Sequence, residues 1–518
     1  MKWLRTVLAG LACTVLWCGP PRPDLPPGES EDRPVRPYAE IASDLESPEW
    51  SVRSNAIVEV MQGEHREAID RLLVLLQEDP HPAVRQTAAL ALGSFQERRA
   101  TPIIARMLST DTEITPDFLL DALTQMKDPA GGPAVVPFLA HREESYALKA
   151  ADTLAEIGAT AQGPAILTLA RQNTDNQRAR IYAMALGRLN IRAAEPYLLN
   201  LARSSPPGPT LAASYLALGR IQSRAAGPLL VQALAADFDK GRENATEALI
   251  EIKDPAVLES VFALIPHTRT ATRYAAADVI VGIPSPQSGP RALNMLSAES
   301  PLTIGPLSEV LGRLKYEPAR TKIETLLTNR ETEDRERLAR SLGWLGGNAS
   351  NELLIRVLRE DDGEGRYGAA WALGILEARE ARTQLEEAAR SGDNRLAQIA
   401  TEALGGLGDP ASLDTLVDLA ESRSSLRVTA VQSIASIEGD DARRVLEDFA
   451  RSEDQNVRIS AIRALGERRE EQSVDMLMDL LAEERESDIT RALMNALRAI
   501  TGESHQTRGQ WLHWYETR

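Results

Sequence analysis

Hydrophobic and polar positions along most of the chain follow one pattern that is repeated many times. In each repeat, two stretches carry apolar residues at i, i+3, i+4 and i+7, which predicts a pair of amphipathic helices. The second stretch ends in a phrase similar to Ala-Leu-Gly, as in VRQTAALALGSF, RIYAMALGRL, RYGAAWALGIL and VRISAIRALGER. The pattern therefore predicts a tandem array of helical hairpins.

The Leu or Ile of this phrase gives each repeat an anchor from which positions can be counted. Fifteen anchors are found: Ile57, Leu92, Leu123, Leu154, Leu186, Leu218, Leu249, Ile280, Leu311, Leu342, Leu373, Leu404, Ile434, Leu465 and Leu497. From Leu92 onward they recur about every 31 residues, a period typical of solenoid repeats. The interval from Ile57 to Leu92 is longer, as terminal repeats often are.

Each hairpin is too small to bury its own apolar face, so neighbouring hairpins must stack and share one core. Small residues such as Ala88, Ala89 and Gly93 would let the stacked helices approach to about 8 Å. The glycine pairs are interpreted as helix ends at repeat turns; they are Gly131-Gly132, Gly346-Gly347 and Gly405-Gly406.

The phrases VRQTAALALG and VRISAIRALG resemble the HEAT-like repeats first recognised in phycobilisome lyases, and the resemblance covers roughly residues 38–500. It implies an all-α fold, a right-handed α-solenoid of about 15 helical-hairpin repeats, but no particular activity. In that family an arginine opens the second helix, where an acid–arginine ladder between layers is expected. The matching residues are Arg53, Arg85, Arg180, Arg273, Arg427, Arg458 and Arg491.

The N-terminus has the features of an export signal. Lys2 and Arg5 precede an apolar run over residues 6–17 that is too short to span a membrane comfortably. This region resembles a bacterial lipoprotein signal with Cys18 as the lipidated residue, although Trp17 stands where a small residue is usual. We expect lipidation at Cys18; an uncleaved anchor and ordinary cleavage are the alternatives.

Four segments are predicted along the chain: a signal over residues 1–18, a disordered proline-rich tether over 19–37, the repeat array over 38–500 and a C-terminal cap over 501–518. Trp511 and Trp514 are one helical turn apart and are expected to cover the last layer. The protein is therefore expected in the periplasm or cell envelope, held at a membrane.

Composition narrows the possible partners. The formal net charge of -17 argues against nucleic acid and would complement a basic protein or peptide. Both cysteines, Cys13 and Cys18, lie in the predicted signal, so the array has no thiol for a disulfide, nucleophile or metal site.

The sequence shows no pattern typical of catalysis. The six histidines are scattered and none is followed by glutamate, so no metal site is expected. Phosphate-binding and nucleotide-binding glycine motifs and a G-x-S-x-G motif are missing, so we expect no cofactor. A non-catalytic scaffold for a protein or peptide is the favoured function. A lyase-like enzyme and a mechanical spacer are the alternatives.

Positions -6, -2 and +2 from each anchor share one face of the second helix, which usually lines the concave surface of HEAT arrays. In the first half, this face is predicted to be acidic because of Asp121, Asp152, Glu156, Glu243, Glu247, Glu251 and Asp278. Further along the chain it carries the candidate partner-binding residues Trp344, Tyr367 and Trp371, flanked by Arg340, Glu309 and Arg313. The alternative is that these rings pack into the core; Trp50 and Tyr274 are interpreted as isolated.

Overall fold

Each amphipathic stretch of the sequence forms a helix in the computed structural model, which describes residues 36–361, 363–505 and 507–518. These ranges contain 31 α-helices and no strand, which confirms the all-α prediction. The predicted signal, Cys18 and all but the last two residues of the tether lie outside the described residues.

The helices form fifteen pairs and one terminal helix. The first helices are α1 (Tyr38–Ile41), α3 (Ile69–Glu78), α5 (Thr101–Thr110), α7 (Gly132–Val135), α9 (Gly163–Gln172), α11 (Glu195–Ser204), α13 (Gly227–Ala235), α15 (Leu258–Phe262), α17 (Ser288–Met295), α19 (Arg320–Thr328), α21 (Asn351–Glu360), α23 (Arg382–Ala389), α25 (Leu413–Ser422), α27 (Asp440–Phe449) and α29 (Val474–Glu483).

The second helices follow them in turn. They are α2 (Trp50–Gln62), α4 (Pro82–Ser94), α6 (Pro116–Met126), α8 (Glu144–Glu156), α10 (Asn176–Arg188), α12 (Pro209–Arg220), α14 (Asp239–Ile252), α16 (Thr270–Gly282), α18 (Pro301–Arg313), α20 (Arg335–Leu345), α22 (Gly365–Ile375), α24 (Asn394–Leu407), α26 (Arg427–Ile434), α28 (Gln455–Arg468) and α30 (Ser487–Thr501). The terminal helix is α31 (Arg508–Thr517).

All fifteen anchors lie in second helices and are at most 1 % exposed. They form the middle of one continuous apolar core that runs from the first pair to the last. In eleven layers the residue four positions after the anchor has a positive φ and reverses the chain toward the next first helix. These residues are Gln96, Lys127, Gly158, Asn190, Gln222, Lys253, Lys315, Gly346, Glu377, Gly408 and Arg469.

The Ala-Leu-Gly phrase has a direct structural reason. In eight interfaces, the glycine after one anchor faces the small residue before the next anchor, and a Cβ on that glycine would lie 2.7 to 3.0 Å from its neighbour. The pairs are Gly93–Ala122, Gly187–Ala217, Gly219–Ala248, Gly312–Ser341, Gly343–Ala372, Gly374–Ala403, Gly405–Ser433 and Gly466–Ala496. Glycine is therefore required for the closest helix approach in the array.

The pair Gly405-Gly406 lies in the last turn of α24, just before Gly408, whose positive φ ends the helix. A Cβ at Gly406 would lie 2.8 Å from the carbonyl oxygen of Gly374 in the preceding layer. Both glycines therefore serve contacts between layers. Gly346 and Gly347 end α20, with positive φ at both positions.

Five of the six interfaces between second helices that lack this glycine are looser. Around α16 the corresponding residues are Ile250 with Val279 and Val281 with Val310, and the α16 backbone approaches its neighbours less closely. The interfaces of α8 with α6 and α10, and of α26 with α28, are also less close. Four tightly packed blocks result, α2 to α6, α10 to α14, α18 to α26 and α28 to α30, and we call the looser interfaces between them joints.

The expected acid–arginine ladder is confirmed at four of the predicted arginines, which pair with an acid of the following repeat. Arg53 is the most buried example, with its Nε 2.7 Å from Asp79 Oδ2 and its Nη1 donating to the carbonyls of Ser47 and Pro48. The other pairs are Arg85–Asp111, Arg427–Asp454 and Arg458–Glu486. Arg273 donates only to carbonyls and to Thr270.

At the C-terminal end, α31 packs mainly against α29. Trp511 is completely buried, and the rings of His505 and Trp514 both stand edge-on to it and are tilted by 46° to each other. These contacts place the predicted capping tryptophans against the last pair; the boundary at residue 501 stays a prediction, since α30 includes Thr501.

Replacing Gly374 by valine should lower the free energy of unfolding by about 1 to 3 kcal/mol, because the added atoms must displace the backbone of Ala403. Urea unfolding followed by circular dichroism measures the change. The matched control is Gly392→Ala, whose Cβ would meet no atom within 4 Å, and it should change stability by less than about 0.5 kcal/mol. Equal stability of the two variants would contradict the glycine-contact explanation.

Candidate partner interface

The three predicted aromatic residues come together on one face of the second helices. Trp344 ends α20, and its ring lies 5.4 Å from that of Trp371 on α22 at an interplanar angle of 66°. Tyr367 is one turn before Trp371 on the same helix. All three side chains are half-buried, and Tyr367 and Trp371 also pack against the core. The rings thus contribute to packing and remain accessible.

Arginines cover two of these rings. The guanidinium of Arg340 lies 5.1 Å from the Trp371 ring, and that of Arg395 lies 4.3 Å from the Tyr367 ring. Both arginines pair with Glu336, at 3.1 Å for Arg340 and 2.7 Å for Arg395. A single carboxylate therefore holds two cation–π contacts in place.

The Tyr367 hydroxyl donates a 2.7 Å hydrogen bond to Asp393. Asp393 also begins α24, where it accepts from the backbone N–H groups of Arg395 and Leu396. These backbone N–H groups, that of Leu396 first, and the Tyr367 hydroxyl hold the pKa of Asp393 below its usual value. The aromatic ring is thus tied to the start of the next second helix.

The flanking residues Glu309 and Arg313 continue this network on α18. Arg313 donates to Asp278 at 2.6 Å and to Glu309 at 3.1 Å. Glu309 also accepts from Arg337, whose guanidinium lies 4.1 Å from the Tyr274 ring. The predicted flanking residues therefore serve as links within the surface and do not stand alone.

Tyr274 is not isolated, contrary to the sequence interpretation. It reaches from α16 past α18 to α20 because Gly305 has no side chain; a Cβ there would lie 2.5 Å from the Tyr274 hydroxyl and 2.4 Å from Asp334 Oδ2. Burial, followed by the Asp334 carboxylate, raises the pKa of Tyr274 to about 12. Reading the -6 positions in order, Tyr274, Gly305 and Glu336, would have shown the gap that Tyr274 crosses.

We call the set Tyr274, Trp344, Tyr367, Trp371, Arg337, Arg340 and Arg395 the aromatic strip. Two of its contacts skip a layer, Tyr274 with Arg337 and Arg395 with Glu336. These contacts join side chains of alternate second helices across the helix between them, so the aromatic strip lies on the face that the second helices share.

The acidic face predicted for the first half is largely neutralised. Asp121 pairs with Lys149, and Asp152 and Glu156 pair with Arg188. On α14 the carboxylates Glu243, Glu247 and Glu251 remain grouped, with Lys240 paired to Glu243. Burial, and to a smaller extent Glu247, raises the pKa of Glu251. The remaining acidic character is thus concentrated on α14.

Within residues 36–361, 363–505 and 507–518, no three His, Cys, Asp or Glu side chains are grouped so that they could hold a metal ion. Over the same ranges, none of the helices combines the length and the apolar character that crossing a membrane requires.

Comparison with known families agrees with the architecture. The family described as HEAT repeats matches residues 39–116, 163–250, 319–405, 351–427 and 420–498, which together make up more than half of the chain. The chain belongs to the HEAT-repeat family. No curated protein matches the sequence of this HEAT array.

Solved structures similar to the HEAT array include importin beta, at 12% identity and a TM-score of 0.46, covering 90% of this chain and 79% of that one. The karyopherin Kap121p bound to the SUMO protease Ulp1p is 12% identical with a TM-score of 0.46, covering 89% and 64%. The CpcE–CpcF complex of phycocyanin lyase from Nostoc sp. PCC7120 is 20% identical with a TM-score of 0.24, covering 56% and 100%.

The lowered pKa of Asp393 gives a pH prediction. In the unfolded chain the Asp393 carboxyl titrates near pH 4, and in the folded protein its pKa is lower. The ionised carboxylate therefore stabilises the fold above pH 4, and this stabilisation is lost as the pH falls through the folded pKa. Asp393→Asn should therefore be less stable than the unmodified protein at pH 7, and the difference should be smaller near pH 2. Urea midpoints at both pH values test this; a difference that persists undiminished at low pH would point to geometry instead of charge.

Proposed function

We propose that this HEAT-repeat protein is a non-catalytic scaffold that binds a protein or peptide on its concave face. The aromatic strip is the observation that carries the proposal. Trp, Tyr and Arg are the residues most enriched at the energetic centres of protein interfaces, and here all three occur together on accessible second-helix positions.

The side chains of the aromatic strip are held in fixed positions, which favours a binding role over a purely structural one. Ion pairs fix Arg340 and Arg395, and the hydrogen bond to Asp393 fixes Tyr367, before any partner arrives. Side chains that are already ordered lose little conformational entropy on association. The aromatic strip is thus pre-organised for a ligand.

The carboxylates beside the rings support a binding role and not acid–base chemistry. Glu336, Glu309 and Asp393 each accept from arginine, and the pKa of Asp393 lies below its usual range. A general acid or base at neutral pH would need a carboxyl whose pKa is raised toward 7. These three carboxylates act as fixed partners of the arginines.

We further propose export to the cell envelope and attachment to a membrane through Cys18. The support is the charged start with Lys2 and Arg5, the apolar run over residues 6–17 and the position of Cys18 after it. The proline-rich residues 19–37 would then separate the HEAT array from the membrane surface.

To test the binding face, the unmodified protein and a Trp344→Ala, Tyr367→Ala, Trp371→Ala triple variant are crosslinked in intact cells and recovered. A partner should be recovered with the unmodified protein and be at least about tenfold depleted with the variant, because the aromatic contacts are lost. Trp371→Ala alone should weaken binding by more than about 1 kcal/mol.

The matched control is Trp50→Ala, which removes a ring that is 45% exposed and lies outside the aromatic strip. Circular dichroism and thermal unfolding must show that all variants are folded. If the triple variant recovered the partner equally well, the interface would have to lie elsewhere on the protein. The lack of any partner would favour the spacer or the lyase-like alternative.

Replacement of Cys18 by serine should release the protein from the membrane fraction, because serine cannot form the thioether to the lipid. Labelling with a palmitate analogue and fractionation of spheroplasts measure both effects, and Cys13→Ser is the control. Labelling that moves to Cys13, or membrane attachment that survives without label, would contradict lipidation at Cys18.

A further inference from the structure

Hydrogen-bonding groups on the aromatic strip are unevenly used. The indole N–H groups of Trp344 and Trp371 find no acceptor in the part of the chain that the structure describes, and neither is buried away from solvent. An indole can only donate. The two rings therefore offer flat apolar surface and two unused donors to a ligand.

The acceptors beside them are already engaged. Glu336 accepts from both Arg340 and Arg395, and Asp393 accepts from the Tyr367 hydroxyl and from Arg366. A ligand rich in N–H donors would have to compete with these arginines. The chemistry of the aromatic strip thus favours a ligand that has many acceptors and few donors.

Charge narrows the ligand further. Glu336 and Asp393 pair with three arginines, Arg340, Arg366 and Arg395. One positive charge is therefore in excess beside the rings and disfavours a cationic ligand. Anions are rich in acceptors, but the formal charge of -17 on the chain repels them. A neutral ligand with flat apolar side chains and free carbonyl groups fits best.

The angle between the two indoles is set by their own contact. The rings meet edge to face at 66° with centroids 5.4 Å apart, and Trp371 occupies the space that a Cβ on Gly343 would take, 3.2 Å from that ring. An apolar ring of a ligand laid over this pair could contact the accessible part of both indoles.

We infer that the aromatic strip binds a proline-rich segment of the partner protein in an extended polyproline II conformation. Proline has no backbone N–H, its carbonyls stay unbonded in this conformation, and its ring packs on aromatic side chains. This inference rests on the scaffold function proposed above and adds the chemistry of the partner.

Fluorescence anisotropy of a labelled decaproline peptide with the full chain tests the inference. We expect saturable binding that is weakened at least about tenfold by Trp344→Ala or Trp371→Ala. Trp371→Phe keeps an aromatic ring but removes the donor, and it should weaken binding about fivefold, the loss expected for one hydrogen bond. Trp50→Ala should leave the affinity unchanged.

The inference would be overturned if decaproline did not bind, or if it bound equally well to the Trp371→Ala variant. If the crosslinked partner were still lost from the triple variant, the proposed scaffold function would stand in both cases. Preferential binding of decalysine at the same residues would overturn the inference in favour of a basic partner. Self-association of the chain that decaproline reverses would identify its own proline-rich residues 19–37 as the occupant and overturn the assignment to a partner.

Discussion

The array depends on the contact between the glycine after one anchor and the small residue before the next. In the interface of Gly374 with Ala403, a single added methyl group would lie 2.7 Å from backbone. The closeness of this contact determines how far apart neighbouring second helices stand, and the anchors can form one unbroken core only at a near-constant spacing. The buried arginine–acid pairs then connect layers whose distance is already fixed, with Arg53 and Asp79 as the clearest case.

Most of the aromatic strip depends on the same spacing. Arg395 can reach Glu336 across the closely packed helices α20, α22 and α24, whereas Tyr274 reaches Arg337 across the joint beside α16. At Gly305 the missing side chain is what gives Tyr274 its path. The aromatic strip thus forms one connected surface from four second helices, although each helix supplies only one to three of its side chains.

Periodicity was sufficient to predict the helices, their pairing and all fifteen anchors, because burial of each anchor repeats with the sequence. The grouping of Trp344 with Trp371 was also predictable, since both lie on the same counted face. The roles of Tyr274, Arg337 and Arg395 were not, because Tyr274–Arg337 and Arg395–Glu336 skip a layer and no local pattern encodes such contacts. The contacts that Gly405 and Gly406 make between layers were missed for a related reason: a glycine needed for close approach looks in the sequence like one that only ends a helix.

The uneven packing between layers has a mechanical consequence. Glycine-rich interfaces make α18 to α26 a stiff block that carries Trp344, Tyr367 and Trp371, whereas Tyr274 stands across the joint beside α16. Bending of the solenoid should concentrate at such joints, since looser interfaces resist deformation least. Tension along the array would then pull Tyr274 away from Arg337 while leaving the paired indoles intact, so that one end of the aromatic strip is compliant and the other is rigid.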